Sequence, residues 1–135
     1  MFHLLLKVSK AHYHLIRKKL NKIGLHKGQP RLLHLLWKRE GRTQRELCDN
    51  LHLKAATVAK TVKRMEKSGF IIKKKDAEDR RLTRIYLTEA GHEIKTRVDE
   101  IEKEIEEQIL DGFNDEERIL LRRFFVQIRN NLQNN

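Results

Sequence analysis

The 135-residue chain has a single cysteine, and a lone Cys48 excludes an intrachain disulfide framework and fits a reducing compartment. Long hydrophobic runs are missing too. The N-terminal run Leu4, Leu5, Leu6 is broken by Lys7 and Lys10, far short of a signal-peptide core or a membrane span. The expectation is a soluble, cytoplasmic protein with no membrane partner. There is no glycine-rich phosphate loop, no paired His and Ser and no carboxylate pair on one element, so nothing points to an enzyme or to a bound cofactor. No internal repeat or low-complexity segment is seen. The length has room for one domain, or for one small domain plus helices that pair it with a second copy.

What the chain has is charge: 36% of its residues are Asp, Glu, Lys or Arg, and the formal net charge is +11. The sum hides a division. Residues 1–90 hold 23 Lys and Arg against 8 Asp and Glu, while residues 91–135 hold 7 against 11. A polyanion binder would therefore sit in the first two-thirds. A generic basic surface would have the same composition, so charge alone does not name the partner.

Periodicity lays out the elements. Leu4, Leu5, Val8, Ala11, Leu15, Ile16 and Leu20 recur at spacings of a helical stripe, and Gly24 ends that helix. Gly28, Gln29 and Pro30 open a second helix, apolar around its circumference, that is expected to run to about Gly41. Thr43 with Glu46 reads as a capping box for a short third helix carrying Leu47 and Leu51 inward. After a break at His52 and Leu53 a fourth helix starts near Lys54 and stops at Gly69. Residues 70–75 and 82–87 then read as two strands around a charged tip, Asp76 to Arg81. Thr88 caps a fifth helix with Ile94, Val98, Ile101, Ile105 and Ile109 on one face, and a last helix follows Asn114, with its asparagine-rich end expected to fray.

A short helix, a tight turn, a second helix and a hairpin is the order of a winged helix-turn-helix. On the fourth helix, Val58, Val62 and Met65 fall within about 60° of one another and must face a core, which turns Ala56, Lys60, Lys63, Arg64 and Lys67 outward. Ala56 and Thr57 leave the N-terminal end slim enough for a major groove, where a methyl can meet a thymine methyl. The hairpin adds Lys73, Lys74 and Lys75 on its first strand, and Arg80 and Arg81 near its tip, suited to a narrow minor groove. Candidate DNA contacts are thus Lys54, Ala55, Ala56, Thr57, Lys60, Thr61, Lys63, Arg64, Lys73, Lys75, Arg80 and Arg81. Asp76 and Asp79 stand beside arginines that they can orient. A solvated helix face and a simple polar turn are the plain alternatives.

The run Thr43, Gln44, Glu46, Leu47, then Thr57 and Val58, then Met65, Glu66, Gly69, Phe70 and Ile71, then Asp76, Asp79, Arg80 and Arg81, then Leu87, Thr88 and Gly91 resembles the MarR family of regulators. The resemblance extends more loosely over nearly the whole chain. It implies a mainly α fold with a small β-hairpin wing: an N-terminal dimerisation helix over 1–27, a winged helix-turn-helix over 28–88 and C-terminal dimerisation helices over 89–135. It also implies a homodimeric, sequence-specific regulator of double-stranded DNA, a repressor on a pseudopalindromic operator, relieved by a small aromatic effector. Two positions depart from the family pattern. Lys54 stands where a capping Ser or Thr is usual, a loss of roughly 1 kcal/mol, and His52 stands where Gly is frequent.

His12, Tyr13, His34 and Trp37 are the candidate effector residues; core or rim packing is the alternative for all four. No metal is expected, because neither His12 with His14 nor His3 with His12 has the spacing that sets two ligands on one helix face. Cys48, inside the helix-turn-helix, reads as a buried structural thiol. A winged helix used for RNA or protein binding is the alternative function.

Overall fold

Residues 1–134 are described by a computed structural model. They form α1 (Phe2–Lys22), α2 (Gln29–Lys38), β1 (Arg42–Thr43), α3 (Gln44–Leu51), α4 (Ala55–Lys67), β2 (Ile71–Lys75), β3 (Thr83–Leu87), α5 (Glu89–Ile109) and α6 (Asp115–Gln133). The fold is mainly helical with one small antiparallel sheet, and it divides into a unit ending at Ile101 and a second unit beginning at Glu102. No helix among the described residues is long and apolar enough to cross a membrane.

In the first unit, local chemistry sets the helix ends. Gly28 adopts φ 82, a left-handed conformation that a side chain would strain, and Pro30 follows in the first turn of α2. Gln29 is buried, and its Oε1 accepts from the His26 amide at 2.9 Å, which closes the turn before the helix. At α3 the Thr43 hydroxyl accepts from the Glu46 amide at 3.2 Å, and the Glu46 carboxylate accepts from the Thr43 amide at 3.1 Å. His52 ends α3 at φ 53, the left-handed geometry expected at that turn, and both its amide and that of Leu53 donate to the Cys48 carbonyl. Lys54 is the N-cap of α4 and makes no side-chain cap, as the missing hydroxyl implies.

Two features differ from the reading of the sequence. Helix α2 ends at Lys38, not near Gly41, because the chain turns extended at Arg39 and the Gly41 amide donates to the Ile85 carbonyl at 2.9 Å. Sheet pairing captures those residues. The wing is also more than a hairpin: β1 pairs with β3 through Arg42 opposite Ile85 and Thr43 opposite Arg84, so the strand order is β1-β3-β2. Two residues are too few to show a period of two, and Thr43 serves as both strand residue and helix cap.

The core of this unit joins Leu20, Leu25, Leu32, Leu33, Leu36, Leu47, Leu51, Val58, Val62, Met65, Ile71, Ile85, Leu87 and Val98. Helices α3 and α4 are thereby seated on α2 and on the sheet. The start of α5 docks on the α4–β2 junction, where the Phe70 carbonyl accepts from the Thr88 amide at 3.0 Å. Gly91 lies against that carbonyl so closely that a Cβ there would be 2.1 Å from it.

The second unit holds the end of α5 and α6. Asn114 caps α6 reciprocally with Glu117, at 2.9 and 3.0 Å. The Arg118 guanidinium donates to the Leu110 and Phe113 carbonyls beyond α5. Helix α6 runs through Asn130 and Asn131 to Gln133, and Asn135, part of the end expected to fray, lies outside the described residues.

Candidate nucleic-acid interface

Helix α4 presents two faces. Val58, Val62 and Met65 are fully buried, and this seats the helix with Lys54, Ala55, Ala56, Thr57, Lys60, Lys63, Arg64 and Lys67 exposed. The arrangement is the one the 100° helical step requires. Thr61 is half-buried, and its hydroxyl donates to the Thr57 carbonyl at 3.0 Å. No acidic residue lies in the first turn of α4, so its free amides and Lys54 make that end strongly positive.

The wing projects a second positive element. In the β2–β3 register, Ile71, Lys73 and Lys75 share one face opposite Leu87, Ile85 and Thr83, whereas Ile72 and Lys74 share the other with Tyr86 and Arg84. The Lys73 ammonium lies 3.8 Å from Glu66 on α4, and the Lys74 ammonium stands 5.4 Å from the centre of the Tyr86 ring. Lys75 donates to the Arg80 carbonyl at 3.5 Å.

The two tip arginines differ. Arg81 is gripped by both oxygens of Asp79, at 3.0 and 3.2 Å. The exposed Arg80 guanidinium meets no partner among the described residues. Asp76 shapes the tip: its Oδ1 accepts from the Glu78 and Asp79 amides at 2.8 and 2.9 Å, and its Oδ2 accepts from Arg84. The Arg84 bond, followed by those two amides, holds the Asp76 carboxyl at about 2, below its ordinary 3.8. The side-chain bond to Arg81, then its amide, lowers Asp79 as well.

Arg84 was not among the residues singled out from the sequence. It also donates to the Gly41 carbonyl at 2.8 Å, joining the wing to the segment before β1. Nothing beside it in the sequence marks it, because its two acceptors, Asp76 and the Gly41 carbonyl, lie 8 and 43 residues away. Glu40 was missed likewise; its carboxylate accepts from the Leu87 amide at 2.7 Å. Its sequence neighbours carry no hint of a strand 47 residues away.

The four candidate effector residues are placed as follows. His34 and Trp37 meet edge to face with ring centres 5.1 Å apart. The Trp37 indole donates to the Gly91 carbonyl at 2.9 Å, and Lys95 lies 5.8 Å from its ring centre. Tyr13 is exposed and lines a groove with His14, Arg17, Lys18 and Asn21, which includes none of the other three; His12 is exposed on α1. Among the described residues no group of three or more His, Cys, Asp or Glu could hold a metal ion.

A core-seated helix pair, a cationic second helix and a three-stranded wing with a basic tip define a winged helix-turn-helix protein. A sequence model of the MarR family matches residues 25–83. The HTH-type transcriptional regulator YwoH of Bacillus subtilis (strain 168) is 31% identical over 108 residues, covering 77% of this chain and 78% of that protein. A crystal structure of MarR superimposes with a TM-score of 0.81 at 28% identity, covering 98% of this chain and 97% of that one. A MarR family transcriptional regulator from Listeria monocytogenes, solved with 26mer DNA, has the same fold, with a TM-score of 0.76, 22% identity and coverage of 98% and 88%. The chain belongs to the MarR family of helix-turn-helix transcriptional regulators.

Proposed function

We propose that the chain is a homodimeric repressor that binds double-stranded DNA sequence-specifically, with α4 in the major groove and Arg80 of the wing in the minor groove. The observation that carries this is the exposed face of α4. Lys60, Lys63, Arg64 and Lys67 converge there behind the slim end made by Ala55, Ala56 and Thr57. The Listeria monocytogenes relative with the same fold was solved with DNA, which supports the choice of partner. In a two-fold dimer the two α4 helices would sit about one DNA turn, roughly 34 Å, apart on a pseudopalindromic operator. Occupancy of a promoter by such a dimer excludes polymerase, which is repression. A small aromatic effector belongs to the same reading, with His34 and Trp37, which meet edge to face, as its candidate ring contacts.

The test is binding to duplexes selected from a random pool, measured over a salt series against competitor RNA and random DNA. Lys60→Ala and Arg80→Ala are each expected to weaken binding and to flatten the log–log salt slope by about 1. Unchanged affinity in both variants would remove α4 and the wing as the contacts. Preference for RNA would turn the protein into a different kind of winged-helix binder.

A further inference from the structure

The wing contains a bridge that no proposed DNA contact uses. β1 supports β3 only at Ile85 and Arg84, so beyond that pair the β2–β3 hairpin and its tip have no sheet neighbour. An isolated two-stranded hairpin is marginally stable in water. Arg84 stands at the last supported position, and from there one guanidinium reaches in two directions. Its Nε donates to Asp76 at the tip and its Nη1 donates to the Gly41 carbonyl, 2.8 Å away.

Both side chains of the ion pair are partly shielded, with 28% of Arg84 and 17% of Asp76 exposed. Asp76 uses its other oxygen to hold the Glu78 and Asp79 amides. On the frame side, the Gly41 amide is itself bonded to Ile85, and β1 runs directly into α3. Short polar contacts therefore connect the turn that carries Arg80 to the start of the helix-turn-helix.

We propose that Arg84 is a positioning residue: by bridging Asp76 and the Gly41 carbonyl it holds the wing tip at a set place relative to the helix-turn-helix, so that Arg80 is presented to DNA already ordered. An ordered tip avoids losing that conformational freedom on binding, so affinity rises without a contact from Arg84 itself. This rests on the proposed DNA-binding role of the wing. A lysine cannot replace Arg84, because its single ammonium lacks the planar fork that reaches two acceptors on opposite sides.

The test uses the full chain as wild type, Arg84→Gln, Arg84→Lys, Arg80→Ala and the Arg80→Ala/Arg84→Gln double variant. In the free proteins, heteronuclear NOE values of the Ala77, Glu78 and Asp79 amides are expected to fall in both Arg84 variants. Affinity for a duplex selected by the wild type is expected to drop about tenfold in each of them. Arg80→Ala, costly in the wild type, is expected to weaken binding less than about twofold further in the Arg84→Gln background. Unchanged tip dynamics, recovery of affinity by lysine, or additive losses would each overturn the positioning role while leaving DNA binding intact. Loss of tip order in a protein whose wild type shows no salt-sensitive duplex binding would instead sink the DNA-binding role, and the positioning role with it.

Discussion

Asp76 shows how one side chain sets a local shape. Its two oxygens serve different structures, the tip amides on one side and Arg84 on the other, and both sets of donors favour the charged form. With the folded value at about 2 against an ordinary 3.8, Asp76 contributes stability that is fully present above the unfolded value and is lost as pH falls through the folded one. Urea unfolding of the wild type and Asp76→Asn is therefore expected to show a constant gap from neutral pH down to about 5, shrinking between about 4 and 2. A gap independent of pH would mean that the carboxylate charge is not what holds the tip. The sequence places Asp76 and Asp79 where they can orient arginines. It could not say which, and the partner of Asp76 proved to be Arg84, eight residues away across the hairpin, not a neighbour at the tip.

Elements were legible wherever their signal is local. The Thr43–Glu46 capping box, the turn at His52 and the stripe Val58, Val62, Met65 depend on residues within a few positions of one another, and each lies where the sequence places it. β1 and the early end of α2 depend on β3, more than 40 residues downstream, so no window of sequence contains their cause. Gly91 belongs with these. It reads as a helix-start residue, yet its constraint is the Phe70 carbonyl, 2.1 Å from where a Cβ would stand. Backbone cannot swing aside as a flexible side chain would. Gly91→Ala is expected to destabilise the protein by about 2 kcal/mol, read as a lower urea midpoint with an unchanged slope. No loss would mean that α5 shifts freely on the α4–β2 junction.

The chain leaves much apolar surface in need of cover. Helix α6 has no buried residue among those described, and Ile119, Phe124 and Leu132 are 70%, 53% and 71% exposed. Phe2, Leu4, Leu6 and Val8 are similarly open at the start of α1. Contiguous apolar faces of this kind are the material of protein–protein interfaces. The proposed dimer would cover them, and at micromolar concentration the chain is expected to sediment at twice its 16.2 kDa. Phe124→Asp with Leu132→Asp is expected to shift it toward one chain and to lower affinity for a pseudopalindromic duplex far more than for a half-site. A wild type that sediments as one chain would remove the dimer from the proposal.

The run of helices, the hairpin and the outward-facing cations of α4 are written in the chain, because they follow from periodicity and capping, which act over one or two turns. Folding across the chain settles what no short window contains: Arg84 is held between Asp76 and the Gly41 carbonyl 43 residues away, whereas Arg81 meets Asp79 two residues off and the Arg80 guanidinium has no partner among the described residues. Charge is a property of the residue, but its availability depends on which partners folding brings within hydrogen-bond reach.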